Sequence, residues 1–240
     1  MSKDNFGDRM KGYENTYRAK LPKRMPVIIR LDGKAFHTYT KGMEKPFDEK
    51  LVNAFWETCK YLCQNIMGCK MAYHQSDEIT LLLTNYDKLT TESWFDNNIQ
   101  KMVSVASSMA TMKFNQCMQG YTDKVALFDA RAFVLPQDEV NNVFLWRQQD
   151  ATKNSVSMVA HNGFGHKALQ NLNGSKKQEK LFQERNINWN NLPTWQKRGA
   201  CIVKKYYQKG DVLRSRWVVD KEIPIFSQDR NYIEQYVYLK

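Results

Sequence analysis

"VIIRLDGKAFH", Val27 to His37, is an apolar run that stops at Asp32-Gly33 and passes at once into Lys34, Phe36 and His37. Val27, Ile28 and Ile29 in succession read as a buried strand, and Asp-Gly ends it. An acidic residue at the end of such a strand either turns the chain or holds a ligand. A second acidic group brought beside it would favour the ligand.

Downstream the pattern changes period. Leu51, Val52, Phe55, Cys59, Leu62 and Ile66 recur at three and four, which predicts a helix stopped near Gly68. "KMAYHQSDEITLLLTNY" then holds two short apolar runs, Met71–Tyr73 and 79–83, around "HQSDE". This predicts a hairpin with Ser76, Asp77 and Glu78 at its tip. Ile99, Met102, Val103, Ala106, Ala110, Phe114 and Cys117 form a second helical stripe, and "VALFDARAFVLP" restores a strand closed by Pro136. Strand, helix, hairpin, helix, strand is the ferredoxin-like βαββαβ layout, an α+β sheet with both helices on one side.

Residues 137–240 are expected to form a mostly helical C-terminal region packed on a domain of residues 1–136. "DEVNNVFLWRQQDATKNSVSMVAHNGF" and "KALQNLNGSKKQEKLFQERN" read as helical around a break at His161 to His166. "RGACIVKKYY" and "DVLRSRWVVD" read as a late β-hairpin.

Composition narrows the class. The 240 residues are 42% hydrophobic and 12% aromatic, which excludes a disordered chain. Thirty-six Lys and Arg against 25 Asp and Glu leave a net charge of +11, favouring a polyanionic partner. The five cysteines (Cys59, Cys63, Cys69, Cys117, Cys201) have no zinc spacing and read as reduced thiols of a cytoplasmic protein. No stretch reads as a signal peptide or a membrane span.

In a βαββαβ sheet the first strand lies beside the hairpin, so Asp32 can meet Asp77 and Glu78. Carboxylates crowded at low solvation repel unless a cation neutralises them. Mg²⁺ suits such a site, completing its shell with substrate phosphates, and a pair of ions supports nucleotidyl transfer. Gly33 lets backbone approach a ligand, the amides after it form a phosphate-cradling nest, and Lys34, Lys41 and Lys45 add positive charge. His37 either donates to a phosphate, lies under a base, or is a packed, satisfied histidine. The bland reading, two solvated turns, stays open on these residues alone.

"RLDGKAFH" (30–37), "KPFD" (45–48), "YHQSDEITLLL" (73–83), "SVASSMATMKF" (104–114), "WRQQD" (146–150) and "NINWNNLPTWQKRG" (186–199) resemble the tRNA-His guanylyltransferase superfamily, in order and over most of the chain. The resemblance implies an enzyme with a polymerase-palm-like domain, commonly a homotetramer, that adds nucleotides to the 5′ end of tRNA using ATP, GTP or other nucleoside triphosphates. By the same resemblance Asp32 and Asp77 would ligate two Mg²⁺ ions with the Gly33 carbonyl, and Glu78 would assist. The loop Asp32, Gly33, Lys34, Ala35, Phe36, His37 would hold a triphosphate together with Ser76. Lys45, His37 and Lys101 would contact phosphates or help 5′ activation. Asn188, Lys197 and Arg198 fall in a matching polar stretch that serves RNA contact or packing. Trp146, Arg147 and Asp150 match a motif whose working is not legible.

One departure bears on activity. Eukaryotic members follow the "WRQxD" match with a His-Ile-Asn-Asn type segment, whereas "ATKNSVSMV" puts Thr152 at the place of that His. In that respect the chain resembles the bacterial and archaeal "like" proteins, which implies templated 3′-to-5′ repair of truncated tRNA over strict addition of G to tRNA-His. A nucleotidyl cyclase and a silent RNA-binding module are the rivals of other classes.

Overall fold

The computed structural model describes residues 5–238. Alternation along strand β1 (Val27–Gly33) sets its layers. Val27, Ile29 and Leu31 enter one hydrophobic core and Ile28 the other, as period-two geometry requires of a strand covered on both faces. Arg30 and Asp32 therefore share the face of Ile28.

Before β1 runs helix α1 (Asn5–Thr16), for which the sequence carries no strong signal. After it come the single turn α2 (Phe36–Tyr39), then α3 (Glu49–Asn65), β2 (Cys69–Gln75), β3 (Glu78–Leu83), α4 (Ile99–Met118) and β4 (Phe128–Val134). The strands are ordered β4-β1-β3-β2 with every neighbouring pair antiparallel, the expected ferredoxin-like order. Phe55, Cys59 and Leu62 of α3 and Met102, Ala106 and Phe114 of α4 fill the core on the side of Ile29. Both helices thus lie on one face.

The chain then builds the second face. Val140 and Phe144 of α5 (Val140–Gly163) pack against Ile28, Met71, Tyr73 and Leu82. The expected break begins later than the sequence suggested: His161 stays inside α5 and Phe164 follows its last residue. "KALQNLNGSKKQEKLFQERN" is likewise not one helix. It is a 3₁₀ turn (His166–Leu169), a loop, and α6 (Gly174–Arg185) capped by Asn173. After α7 (Thr194–Arg198), β5 (Ala200–Lys209) pairs with β2 and β6 (Val212–Asp220) with β5, so one six-stranded sheet runs through residues on both sides of Pro136. The tail, including α8 (Asn231–Glu234), completes the second core with Ile223, Phe226, Ile233 and Val237.

Asp48 starts α3. Its carboxylate accepts from the Leu51 amide at 2.9 Å, the Glu44 amide at 3.1 Å and the Tyr121 hydroxyl. Burial pushes this acid up, but those donors outweigh it and hold it below the usual carboxylate range. Asp48→Ala, which removes an N-cap, is expected to cost about 1–2 kcal/mol, read by calorimetry as a Tm lower by roughly 2–8 °C.

Among the described residues no helix is long and apolar enough to cross a membrane. The five cysteines are free, four of them buried and Cys117 half-buried.

Candidate functional site

The register places the acidic residues. Asp32 of β1 lies opposite Glu78 of β3, and the β2–β3 turn is Ser76-Asp77. The Gly33 amide donates to the Asp77 carbonyl at 3.1 Å, tying the end of the first strand to the hairpin corner. The two aspartates therefore face a common space. Burial pushes the Asp77 carboxyl up, and the neighbouring Asp32 charge pushes it further.

The backbone on both sides is specialised. Ala35 (φ 53) and Ser76 (φ 52) sit in the left-handed region, uncommon for residues with a Cβ and frequent around ligand sites. A Cβ on Gly33 would meet the Phe36 ring at 2.2 Å. Only glycine lets that ring settle among Phe55, Phe114 and Phe128. The Thr38 amide is the first of α2 to bond back, onto the Ala35 carbonyl, so the amides before it start the turn without intrahelical acceptors. Lys124 bolts the other end of α2: its ammonium donates to the carbonyls of Thr38, Tyr39 and Lys41 at 3.2, 3.0 and 2.8 Å.

A cleft of about 570 Å³ opens at these residues, well inside the range of small-ligand sites. Asp32, Gly33, His37, Lys45, Ser76 and Asp77 line its polar part, and Phe47, Trp56 and Trp195 its aromatic part. The Trp195 ring meets Trp56 at 5.6 Å and Phe47 at 5.7 Å between centroids. A polar, carboxylate-bearing region joined to aromatic walls is what a triphosphate and its base require. From α5, Ala151, Asn154, Ser155 and Met158 complete the lining. Of the lining residues, Trp56, Asn154 and Met158 carried no signal of their own in the sequence.

The remaining candidates are placed as follows. Ala35 and Phe36 line the cleft, but the Phe36 ring belongs to the core, so only its backbone is free for a ligand. Lys34 and Lys101 are exposed and outside the lining; the Lys34 amide donates to Leu127 and the Lys101 amide to the Asn98 cap. Asn188 caps its own turn through Asn190, Lys197 donates to the Asn190 carbonyl at 2.6 Å, and the Arg198 carbonyl takes the Tyr73 hydroxyl at 2.6 Å.

Glu78 is not in the lining. Its carboxylate accepts from Arg147 Nε at 2.7 Å, with Arg30 at 4.0 Å, and Arg147 reaches Asp150 at 2.9 Å. The Trp146 ring lies beneath both guanidinium groups, at 4.4 Å from Arg147 and 5.3 Å from Arg30. Here is the working of the "WRQQD" motif: it clamps the β3 end of the acidic corner to α5.

His74, one strand position before Gln75, stacks on Phe55 at 4.7 Å and its Nε2 meets the Ser76 carbonyl at 2.9 Å. Burial lowers its pKa from 6.5 to about 4. Because the unfolded chain takes the proton first, stability is retained above pH 6.5 and drains away as pH falls towards 4, by about 3 kcal/mol. Urea unfolding of His74→Gln should lack that portion of the slope; matching pH profiles for the two proteins would refute it.

Among the described residues no group of three or more His, Cys, Asp or Glu is arranged to hold a metal. The pair Asp32 and Asp77 nevertheless suits Mg²⁺: hard oxygen donors, mutual repulsion that a cation relieves, and an adjoining cleft for phosphates.

A ferredoxin-like sheet with two aspartates at the mouth of such a cleft fits a nucleotidyltransferase, and the chain's family makes it one. The tRNAHis guanylyltransferase (Thg1) family model matches residues 7–136. The chain belongs to that family. It is 30% identical to protein R259 of Acanthamoeba polyphaga mimivirus, over 95% of this chain and 86% of that protein. It is also 30% identical to the tRNA(His) guanylyltransferase of Debaryomyces hansenii, over 79% and 78%. A bacterial tRNA(His) guanylyltransferase (Thg1)-like protein, solved in complex with ATP, superposes with a TM-score of 0.93 at 64% identity, over 98% of this chain and all of that one. A complex of such a bacterial protein with GTP superposes at 0.88 with the same identity and coverage.

Proposed function

We propose that this protein adds nucleotides in the 3′-to-5′ direction to the 5′ end of tRNA, templated by the opposite strand, and so repairs 5′-truncated tRNAs. The observation that carries the reading is the paired Asp32 and Asp77 at one cleft with a phosphate cradle on one side and aromatic walls on the other. Solved complexes of 64%-identical bacterial proteins with ATP and with GTP support nucleoside triphosphates as its substrates.

A 5′-monophosphate end is activated by ATP, which leaves AMP on the RNA and releases pyrophosphate. The 3′-hydroxyl of an incoming triphosphate then attacks the RNA phosphate and AMP departs. A 5′-triphosphate end needs no activation, and attack releases pyrophosphate. Asp32 and Asp77, with the Gly33 carbonyl, would hold Mg²⁺, which supplies acidification of the attacking hydroxyl and neutralisation of the leaving phosphates. The amides of the 35–37 turn, Ser76 and Lys45 hold phosphate oxygens, His37 donates from the turn's exposed side, and Trp56, Trp195 and Phe47 keep water from the base. Glu78 acts on the site through Arg147. Lys34 and Lys101, outside the cleft, serve the RNA.

Thr152 favours repair over strict tRNA-His guanylylation. Its hydroxyl is spent on the Gln148 carbonyl at 3.0 Å within α5, and its side chain leaves the cleft to Ala151, Asn154 and Ser155. RNA contacts fall to the basic surface. Beyond Val203 the β5–β6 hairpin is exposed as far as Arg216, and its register puts Lys205, Tyr207, Lys209, Arg214 and Arg216 on one face. Asn188, Lys197 and Arg198 lie on the approach to the same strand. Such a surface reads phosphate positions more than sequence.

The test is nucleotide addition to tRNA-His and to other tRNAs lacking their first residue, each with and without a templating base. Addition that follows the template on several tRNAs is the expected result. Untemplated G on tRNA-His alone would replace this reading with strict guanylylation, and a cyclic product from GTP without RNA would replace it with a cyclase.

A further inference from the structure

Among the described residues, seven buried side-chain nitrogen or oxygen atoms have no hydrogen-bond partner, and two of the seven belong to residues that line the cleft. They are Trp56 Nε1 and Gln75 Oε1. A buried polar atom without a partner is uncommon in a folded protein and costs stability, so one at a ligand site calls for a ligand group. The Trp56 nitrogen is a donor at the aromatic end, where every base offers an acceptor, so it does not choose among ligands. Gln75 Oε1 is an acceptor, and that is selective. It pairs with a hydroxyl or amino hydrogen and has nothing to gain from the oxygens of a phosphate.

Position decides between those partners. Gln75, 5% exposed, is the last residue of β2. Period two puts it on the face of Met71 and Tyr73, towards α5, while His74 turns the other way onto Phe55. In register Asp32, Glu78 and Gln75 form one row across β1, β3 and β2. Arg147 takes the Glu78 carboxylate at 2.7 Å, which leaves Asp32 and Gln75 on either side of it. The next strand in order, β5, begins at Ala200 opposite His74, just after the short helix α7 that carries Trp195. The floor of the cleft therefore runs from the acidic pair past Gln75 to the aromatic wall. A nucleoside triphosphate has the same order: phosphates, ribose, base. With its phosphates at the aspartates and its base at Trp195, the ribose lies over Gln75, and the hydrogen-bond donors a ribose carries are its hydroxyls.

We infer that Gln75 Oε1 accepts a hydrogen bond from a ribose hydroxyl of the bound nucleotide, and so makes the cleft prefer ribonucleotides to their deoxy analogues. This deepens the function proposed above and rests on its placement of the nucleotide.

Equilibrium binding of ATP, 2′-deoxy-ATP and 3′-deoxy-ATP to the full-length protein, in Mg²⁺ and without RNA, tests it. The wild type should bind one of the two deoxy nucleotides about tenfold more weakly than ATP, the worth of a single hydrogen bond; which one it is names the hydroxyl. Gln75→Met, which keeps the length of the side chain and removes the acceptor, should bind all three within twofold of one another. Gln75→Glu, which keeps an acceptor, should retain the preference. Because the readout is a ratio between ligands, a general loss of triphosphate affinity does not imitate it. Equal affinity of the wild type for the three nucleotides, a preference that survives in Gln75→Met, or one that vanishes in Gln75→Glu would each overturn the inference. No RNA enters these measurements, so their failure leaves templated addition standing, and failure of templated addition leaves the ribose contact standing.

Discussion

Asp77→Asn is expected to lower single-turnover nucleotide addition by at least about 10²–10³-fold, the scale lost when one electrostatic stabiliser of a transition state is removed. The substitution keeps size and shape. The Asp77 carbonyl still receives the Gly33 amide at 3.1 Å, so the corner holds its course and the loss is one of charge. With a single carboxylate left at the cleft mouth, the pair that would hold Mg²⁺ loses half of its negative charge. Burial and the Asp32 charge, which hold the Asp77 carboxyl above its ordinary range, are the same forces that make the pair receptive to a cation. Addition should be measured on labelled 5′-truncated tRNA across a range of Mg²⁺, where higher metal recovers part of the rate. A variant that adds nucleotide at wild-type speed would remove Asp77 from the chemistry.

Arg147→Met should cost about 3–5 kcal/mol, because it leaves a buried carboxylate without its partner. Glu78 and Arg147 keep only 7 and 10% of their side-chain surface, and Arg30, 4.0 Å away, is too distant to replace a hydrogen-bonded ion pair. Urea unfolding of Arg147→Met, Glu78→Gln and the double variant forms a cycle. The double variant is expected to recover most of the loss, since neither charge is then stranded. The cycle also separates two roles of Glu78. If it acts only through the clamp, nucleotide addition should follow stability across the three variants. A Glu78→Gln protein that is folded yet inactive would make it a participant.

How far the sequence reaches is visible in particular residues. The period-3.6 pattern is strong where a helix faces a core on one side, and α3 and α4 were legible for that reason, whereas β1 and the β2–β3 hairpin showed as short apolar runs because both of their faces are buried. The pairing of Asp32 with the hairpin corner followed from topology, because a βαββαβ sheet leaves one place for its third strand. The tail from Ile223 to Val237 was silent: its apolar residues fill the second core without periodicity. Phe36 illustrates the opposite case. A motif marks it as part of a ligand loop, while its ring is a core piece that forces a glycine three residues earlier. Trp146, Arg147 and Asp150 were visible as a motif and opaque in purpose, since a salt bridge between α5 and β3 has no trace in local spacing.

The Lys124 bolt and the Phe36 anchor together decide how the phosphate cradle moves. Its first half is pressed into the central aromatic cluster and its second half is stitched by three carbonyls to the approach of β4. Tied at both ends it should resist local opening, and amide protons at Thr38 to Thr40 should exchange with deuterium more slowly than those of an untethered surface turn. A cradle held in this way grips the phosphates that every nucleoside triphosphate shares, which under the function proposed above leaves discrimination among them to the RNA strand that presents the template.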